Sequence, residues 1–501
     1  MSEPAGSTGG ELAGVALDWL TRRAALAWPD HPAIVSGTTT LTFRELDTRI
    51  DAAAAMLAGT VGTGAVVGVP GTLTPELAVL FYAVARSGNV VVTVNPFLRG
   101  DALTHVLRAS GMRLLFTTPE LAERVEPVRV ELQALTHLVP ADSPFLPGRS
   151  PERTGELDDT VCVHFTSGTT GPAKGVRLSH RNLTVNALQV AGGHGLDHVS
   201  VVLNHLPTYH LMHLNSALSA GATQVLCPGD DTVAAIDAAN AHRATRFYSL
   251  PVRLLRLADD PRLPNLKLAS VEAIMSGGSA LAPAAAGKLS AHFGIPVTQG
   301  YGLAETSPLT HTDRIAAPRP GSVGTVVAGT ECRIVDVASR AVLASGERGE
   351  VQVRGPQVMS GYLDPEQPTG IDADGWLSTG DVGYVDADGY LFLVDRLKDV
   401  FKCDNWLVSP TEIEQLAGKH AAVRECVVVD HPDPYRGAVA HAFVVLAEPV
   451  NPEQIREWVN AQVPYYQQVQ HITAVPAIPR SPNGKVRRRD IRAWVAPTDQ
   501  P

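Results

Sequence analysis

The stretch TSGTTGPAK, residues 166–174, lies between two apolar runs. VCVHF (161–165) has the composition of a buried strand, and GVRL (175–178) reads as a second short strand. Ser179 then stands where its hydroxyl can cap a helix over HRNLTVNALQVA. The sequence therefore predicts a loop between two strands, with glycines that free its backbone.

The side chains of this loop suit an anion. Four of them carry hydroxyl groups: Thr166, Ser167, Thr169 and Thr170. Exposed N–H groups beside them can form an anion-binding concavity, and Lys174 adds a positive charge. The spacing differs from that of a P-loop, because Lys174 follows Gly171 by three residues and precedes Gly175. The same residue types also occur in polar surface hairpins, so the loop alone leaves both interpretations open.

Composition limits the class of protein. A chain of 501 residues with 45% apolar and 18% charged residues predicts a globular protein of two or more domains. Its net charge of −10 argues against nucleic-acid binding and against attraction to anionic lipid. The N-terminus lacks the features of a signal peptide, and we expect no membrane span. The five scattered cysteines show no metal-binding spacing, and we expect a cytoplasmic protein with reduced thiols.

Strands and helices alternate over most of the chain. VVGVPG (66–71), TPELAVLFYAVARSG (74–88) and VVVTVN (90–95) form a strand, helix, strand unit, which is typical of parallel sheets covered by helices. Around Cys332 the pattern changes to short strands and tight turns, which indicates a small β unit. After DRLKD (395–399) a compact α+β tail follows. The predicted fold class is α/β, with a large N-terminal domain of helix-covered sheets plus a small β unit, and a small α+β C-terminal domain.

Several further motifs follow the loop in order: PTYH (207–210), MSGGSAL (275–281), QGYGLAETS (299–307), WLSTGD (376–381), DRLKD (395–399) and PRSPNGKVRRRDIR (479–492). With the loop, this set resembles the adenylate-forming superfamily of acyl-CoA synthetases, aryl-CoA ligases, luciferases and peptide-synthetase adenylation domains, over residues 15–494. The resemblance implies an adenylation domain over residues 1–394, a hinge at 395–399, and a mobile C-terminal domain over 400–501 that carries a catalytic lysine.

The resemblance implies one set of ATP-binding residues: Thr166, Ser167, Gly168, Thr169, Thr170, Lys174, Gly277, Gly278, Ser279, Tyr301, Gly302, Thr306, Asp381 and Arg396. The loop would wrap the β- and γ-phosphates, and Tyr301 would stack on adenine. Thr306 would contact the α-phosphate. Asp381 and Arg396 would bind the ribose.

The implied chemistry is carboxylate activation. A carboxylate attacks the α-phosphorus of MgATP to give an acyl adenylate, which then passes to the thiol of CoA. Lys485 would stabilise the developing charge, and Glu305 would hold Mg²⁺ with Thr166 nearby. His210 borders the acyl pocket, where positioning of the carboxylate, gating and simple packing all remain open. Lys398 would be the pivot of the hinge.

The chain departs from the resemblance at the predicted thiol tunnel. Many relatives carry a glycine-rich turn after DRLKD, whereas this chain has Asp404, Asn405 and Trp406. The side chains of Asn405 and Trp406 are expected to narrow the tunnel. CoA is the first choice of acceptor. The alternatives are the phosphopantetheine arm of a carrier protein or a partner enzyme that takes the adenylate.

The predicted acyl pocket is lined by His210, Met212, Pro251 and Met275. Amino-acid-activating relatives carry an aspartate where this chain has Tyr209 and His210, so we expect an acid with an uncharged tail. A bulky aliphatic or alicyclic acid is the first expectation, and an aryl acid remains open. Secondary metabolism or fatty-acid metabolism is the implied setting. A homodimer is one arrangement that the sequence leaves open, and a catalytically silent nucleotide-binding homologue is a further functional class.

Overall fold

The computed structural model describes residues 15–150, 155–166, 172–404, 406–480 and 486–495. The chain divides into two compact units. The first contains the described residues up to Cys332 together with Val353–Leu377 and Gly389–Leu391. The second contains Arg333–Gln352, Ser378–Asp388 and the described residues from Phe392 onward. The predicted domain boundaries at residues 394 and 400, with the hinge between them, stay a prediction.

The strands of the described residues, numbered in chain order, are β1 (Pro32–Ser36), β2 (Thr39–Thr42), β3 (Val66–Pro70), β4 (Val90–Val94), β5 (Leu114–Thr117), β6 (His137–Pro140), β7 (Thr160–Phe165), β8 (Gly175–Ser179), β9 (Val201–His205), β10 (Thr223–Leu226), β11 (Arg246–Ser249), β12 (Ala273–Ser276), β13 (Val297–Gly302), β14 (Leu309–Thr312), β15 (Thr325–Val326), β16 (Glu331–Val335), β17 (Gly349–Arg354), β18 (Gly361–Tyr362), β19 (Leu377–Val385), β20 (Leu391–Arg396), β21 (Phe401–Cys403), β22 (Trp406–Val408), β23 (Val423–Asp433), β24 (Gly437–Leu446) and β25 (Val469–Ala474).

The α-helices are α1 (Trp19–Ala27), α2 (Phe43–Val61), α3 (Pro75–Arg86), α4 (Gly100–Ser110), α5 (Pro119–Val125), α6 (His180–Gly193), α7 (Leu211–Ala220), α8 (Thr232–Ala241), α9 (Pro251–Asp259), α10 (Pro283–Phe293), α11 (Pro410–Ala417), α12 (Pro452–Asn460) and α13 (Arg488–Arg492). Short 3₁₀ turns occupy Glu126–Glu131, Leu263–Asn265, Ala304–Thr306 and Tyr465–Gln467. Among the described residues, every helix falls short of the length and apolarity that a membrane crossing requires.

One sheet of the first unit has the order β15-β14-β13-β12-β11-β9-β10-β1-β2. Its central strands are parallel, and β11 and β12 are buried along their whole length. The sequence of a strand that is covered on both faces is largely apolar without alternation, and AIMS in β12 is an example. Phe247 of β11 packs there with Leu254 of α9 and Leu289 of α10. The carboxyl ends of these parallel strands carry several of the predicted site residues.

The second sheet of the first unit has the order β18-β8-β7-β4-β3-β5-β6. β8 returns antiparallel to β7, so the predicted strand, loop, strand arrangement is confirmed. Ser179 caps α6 as predicted, because its Oγ accepts the N–H of Asn182 at 3.1 Å. On the other side of β8 the short strand β18 pairs antiparallel with it.

The second unit contains a sheet in the order β22-β21-β24-β23, with β25 parallel to β24. Val428 and Ala442 pack on one side of this sheet with Ile413 of α11 and Ile455 of α12. A separate apolar cluster joins Val427, Phe443 and neighbouring strand residues to Ile491 of α13. The boundaries between the two units fall in the strands β16, β17, β19 and β20 and in the turn between β19 and β20. The predicted fold class, with a large α/β part and a small α+β C-terminal part, is confirmed.

Candidate active site

The ends of the hydroxyl-rich loop are held together by backbone hydrogen bonds. Phe165 and Gly175 are the last register pair of β7 and β8. Beyond them, the Thr166 N–H donates to the Lys174 carbonyl at 2.9 Å, and the Lys174 N–H donates to Thr166 Oγ1 at 3.1 Å. The predicted phosphate ligands Ser167, Gly168, Thr169 and Thr170 lie outside the described residues.

Lys174 and Glu305 both contact Tyr362, a residue outside the sequence motifs. The Lys174 ammonium lies 5.1 Å from the centre of the Tyr362 ring. The Tyr362 hydroxyl donates to Glu305 Oε1 at 2.9 Å. Burial, with the neighbouring Glu305 carboxylate, raises the pKa of the Tyr362 phenol, so it stays protonated. Pairing of β18 with β8 places this tyrosine, because Tyr362 lies opposite Val176.

Glu305 and Thr166 are the predicted ligands of a magnesium ion that would enter the site bound to ATP. Within the described ranges, no group of three or more His, Cys, Asp or Glu side chains could hold a metal ion. Glu305 offers a single half-buried carboxylate, and Thr166 a hydroxyl at the loop mouth. Mg²⁺ prefers oxygen ligands and is often bound by one or two carboxylates plus phosphates. Glu305 and Thr166 therefore fit a magnesium ion carried by ATP, and their role as its ligands stays a prediction.

Two neighbouring parallel strands bring the predicted adenine residues together. Ser276 at the end of β12 lies opposite Gln299 of β13, so Gly277 lies beside Gly300. Gly278 has a φ of +86°, and Ser279 is exposed. Tyr301 is largely buried and its ring centre lies 5.9 Å from that of His311. The adenine contact of Tyr301 stays a prediction.

Close backbone approach explains the glycine at position 302. A Cβ placed on Gly302 would lie 1.9 Å from the Pro308 carbonyl oxygen, far inside van der Waals contact. The following Thr306 is fully buried. Its hydroxyl donates to the Leu303 carbonyl at 3.1 Å and to the Pro308 carbonyl. Because the hydroxyl proton is engaged within this turn, the predicted contact of Thr306 with the α-phosphate would require it to change partner.

His210 belongs to a group of uncharged histidines. It caps α7, where its Nδ1 accepts the Met212 N–H at 3.2 Å, so the ring proton lies on Nε2. Its ring centre lies 6.0 Å from that of His164 and 6.1 Å from that of His213. Desolvation and the neighbouring His164 lower the pKa of His210 to about 4. His210 is therefore neutral near pH 7 and can donate a hydrogen bond from Nε2.

The other predicted acyl-pocket residues lie in apolar surroundings. Met275 is buried with Tyr248 and Val202, and Met212 packs against a cluster that includes Leu309. Pro251 is the buried first residue of α9. His213 was not selected from the sequence, and its Nδ1 is a buried atom with no hydrogen-bond partner in the described structure. His213 follows His210 by three residues at the start of α7, a spacing that places two side chains on one face of a helix. His164 comes from β7, and no sequence spacing marks it.

The two predicted ribose ligands are paired with each other in the second unit. Arg396 Nε lies 2.9 Å from Asp381 Oδ1, and the Asp381 side chain is buried. The Leu397 N–H donates to the Gly380 carbonyl at 2.8 Å, which joins the end of β20 to β19. Their contact with ribose stays a prediction.

The predicted pivot Lys398 is tied to α13. Arg492 Nη2 donates to the Lys398 carbonyl at 3.4 Å, and Arg492 Nη1 contacts Asp399 Oδ1 at 3.2 Å. Desolvation lowers the pKa of Lys398. The predicted catalytic Lys485 lies outside the described residues, one position before Val486.

The predicted thiol-tunnel residues lie in a hairpin of the second unit. Cys403 pairs with Trp406, and Asp404 in the turn has a left-handed φ of 50°. The Trp406 ring is 54% exposed and stacks on Tyr466 at 5.1 Å between ring centres. Asn405 lies outside the described residues. Their role at a tunnel stays a prediction.

The chain is similar to known proteins along most of its length. The family model described as "AMP-binding enzyme" matches residues 21–363, and the model "AMP-binding enzyme C-terminal domain" matches residues 412–485. Among curated proteins, the chain is 34% identical to 4-coumarate–CoA ligase 2 of Oryza sativa subsp. japonica, over 93% of this chain and 90% of the relative.

The chain is also similar in fold to solved structures over most of its length. ATP-bound MatB from Rhodopseudomonas palustris is 25% identical with a TM-score of 0.86, over 96% of this chain and 99% of the other. The o-succinylbenzoate CoA synthetase from Bacillus subtilis, in complex with its acyl-adenylate intermediate, is 25% identical with a TM-score of 0.84. Coverage there is 94% of this chain and 97% of the other.

Buried neutral histidines predict a loss of stability in weak acid. Burial lowers the pKa of His194 and of His311 to about 3, and lowers that of His213 as well. In the unfolded chain these groups titrate near pH 6.5, so only the unfolded state gains protons as the pH falls below that value. The free energy of unfolding should therefore fall from pH 6.5 towards pH 5, by up to ~1.4 kcal/mol per pH unit for each histidine.

Denaturant unfolding at pH 7.5, 6.5, 5.8 and 5.0 measures this dependence. His194→Gln should show a shallower slope than the wild type, because one of the titrating groups is absent. Equal slopes in the two proteins would contradict the assignment of His194 as a buried neutral group.

Proposed function

The chain belongs to the AMP-binding enzyme family, and on that premise we propose that it activates a carboxylic acid with MgATP and transfers the acyl group to CoA. The enzyme class is an AMP-forming acid–thiol ligase that works through an acyl adenylate. The observation that carries the proposal is the contact of Lys174 and Glu305 with one tyrosine beside the mouth of the hydroxyl-rich loop.

The first half-reaction needs positioning and charge stabilisation rather than a covalent enzyme nucleophile. The substrate carboxylate attacks the α-phosphorus, and pyrophosphate leaves along the loop that ends at Thr166 and Lys174. Glu305 and Thr166 would hold the Mg²⁺ that accompanies ATP, and this ion would supply charge neutralisation at the phosphates. Lys485 stabilises the charge that develops on the α-phosphate. Tyr301 stacks on adenine, and Asp381 and Arg396 bind the ribose.

His210 acts as a hydrogen-bond donor in this proposal. Its Nδ1 accepts the Met212 N–H, so Nε2 carries the proton and can bind a carboxylate oxygen. Its low pKa of about 4 keeps it uncharged near neutral pH. His210 therefore positions the acid and does not need to take up a proton.

The acid is proposed to have an uncharged tail. The predicted pocket residues Met212 and Met275 lie in apolar clusters, and the histidines His164, His210 and His213 have lowered pKa values. A charged second group on the acid would lack a counter-charge among these residues. The 4-coumarate specificity in the name of the rice relative makes aryl acids the first to test, beside bulky aliphatic and alicyclic acids.

The cytoplasm is the proposed location, since all five cysteines are free thiols. A carrier-protein phosphopantetheine arm is the second candidate acceptor, because the turn at Asp404 and Trp406 differs from the glycine-rich turn that the family resemblance leads us to expect there.

ATP–pyrophosphate exchange across an acid panel tests the proposed function. We expect exchange with 4-coumaric, cyclohexanecarboxylic or octanoic acid, and none with phenylalanine, whose ammonium group would be buried without a partner. Thioester formation with free CoA and with a phosphopantetheinylated carrier then identifies the acceptor. MgATP binding without exchange for any acid would overturn the enzymatic proposal.

Lys485→Ala should lower exchange by about a hundredfold or more, because a charge that stabilises the transition state is removed. Calorimetry should show MgATP bound as in the wild type. Arg487→Ala is the matched control, since Arg487 lies in the same basic run but pairs at the surface with Asp490. Equal losses in the two variants would mean that only the general charge of the run matters.

Asn405→Gly should accelerate thioester formation from preformed acyl adenylate without changing exchange, because a side chain is removed from the predicted tunnel. Stopped reactions with labelled adenylate and CoA measure the rate. Tyr435→Ala is the control, since this tyrosine is 94% exposed in the same unit. An unchanged thiolation rate in Asn405→Gly would contradict a narrowed passage.

A further inference from the structure

Tyr362 contacts one charged residue through its hydroxyl and another through its ring. The hydroxyl donates to Glu305 Oε1 at 2.9 Å, and the Lys174 ammonium lies 5.1 Å from the ring centre. The side chain is half-buried in the first unit. A tyrosine that served only to fill space would need neither the hydrogen bond to Glu305 nor the ring contact with Lys174. The two contacts together therefore indicate a function for this side chain.

The backbone around Tyr362 leaves this side chain little freedom. Tyr362 lies opposite Val176 in the register of β18 with β8, and the Leu363 N–H donates to the Gly175 carbonyl at 2.7 Å. The Met359 N–H donates to the Glu305 carbonyl at 2.8 Å, which ties the start of this segment to the glutamate backbone. The tyrosine and the glutamate are therefore held by backbone as well as by side-chain contacts.

The phenol is a fixed donor. Its hydroxyl donates to Glu305 Oε1 at 2.9 Å, and a phenol hydroxyl carries its proton at neutral pH. A carboxylate oxygen that accepts this bond is oriented by it, and the second oxygen, Oε2, keeps its lone pairs for another partner. A protein carboxylate that binds a metal ion is commonly held in its orientation by such a hydrogen bond.

Tyr362 contacts two opposite charges, Lys174 at its ring and Glu305 at its hydroxyl. Among the described residues, Lys174 and Glu305 form no ion pair with each other, although both contact Tyr362. An ammonium group over the face of an aromatic ring is attracted by the quadrupole of the ring, and this attraction does not cancel its positive charge. Both charged groups thus remain available to a ligand that carries phosphates and a cation.

We propose that Tyr362 is a positioning residue, which orients Glu305 towards the magnesium ion of ATP and keeps Lys174 beside it free for the phosphates. This role rests on the proposed function for the identity of the ligand. It adds a residue that touches neither nucleotide nor acid and acts through Glu305 and Lys174.

Tyr362→Phe removes the hydroxyl and keeps the ring. ATP binding is measured by calorimetry at a series of Mg²⁺ concentrations without any acid, so that no turnover occurs. Tyr362→Phe should need about tenfold more Mg²⁺ for half-maximal enhancement of ATP affinity, since a hydrogen bond to a charged group is lost. At saturating Mg²⁺ its ATP affinity should approach that of the wild type.

Tyr362→Leu removes the ring as well. ATP affinity should then also fall by about two- to fivefold at saturating Mg²⁺, because Lys174 loses its aromatic contact. Added Mg²⁺ should not restore this second loss. The two variants therefore separate the hydroxyl from the ring.

Tyr390→Phe is the matched control. Tyr390 also donates its hydroxyl, to the Ala317 carbonyl at 2.9 Å, and also carries a cation over its ring, Arg319 at 4.4 Å. None of these residues belongs to the predicted site. We expect its Mg²⁺ dependence to equal that of the wild type, and a thermal unfolding scan of all variants reports any general loss of stability.

A double-mutant cycle shows whether Tyr362 acts through Glu305. In a Glu305→Gln background, Tyr362→Phe should change the Mg²⁺ dependence no further. The proposal is overturned if Tyr362→Phe and Tyr390→Phe share the wild-type dependence, or if the effect of Tyr362→Phe persists in Glu305→Gln. Wild-type protein that binds MgATP but exchanges no pyrophosphate would overturn the proposed function instead, and the calorimetric result would still decide the role of Tyr362.

Discussion

The predicted nucleotide region of the first unit depends on one backbone pairing, that of the two-residue strand β18 with the edge of β8. Gly175 makes this close approach feasible, because a Cβ at that position would lie 3.0 Å from Val163 Cγ1 and 3.1 Å from Leu363 Cβ. β8 in turn pairs with β7, which borders the parallel strands of the sheet. The loop ends, Lys174 and the segment that contacts Glu305 are placed by this one edge.

The first unit places charged side chains around Tyr362 and neutral histidines around the start of α7, and both suit the proposed chemistry. Lys174 and Glu305 both contact Tyr362, where phosphates and a cation would need partners. The histidines around the start of α7 are neutral instead, because burial lowers their pKa values. A substrate carboxylate can accept a hydrogen bond there without forming a salt bridge that its attack would have to break. The arrangement favours positioning over acid–base catalysis.

In the second unit, ion pairs connect the predicted pivot with the helix that follows the predicted catalytic lysine. Asp399 contacts Arg492 of α13, and Arg488 of the same helix is held by Glu414 of α11. Ile491 anchors α13 in an apolar cluster with the central strands. Val486 is bridged to Arg480, so the ends of the segment that contains Lys485 are joined. These contacts connect Asp399, α11, α13 and the central strands of the second unit with one another.

The α/β fold class, the strands on either side of TSGTTGPAK and the cap at Ser179 could be predicted from the sequence, because apolar periodicity, glycine content and capping are local properties. The motif set also predicted that Lys174 and Glu305 serve one site. Only the tertiary structure brought Tyr362 into contact with both of them and His164 beside His210. Those facts depend on strand register and burial between residues far apart in the chain, and no local pattern encodes which side chains long-range packing brings into contact.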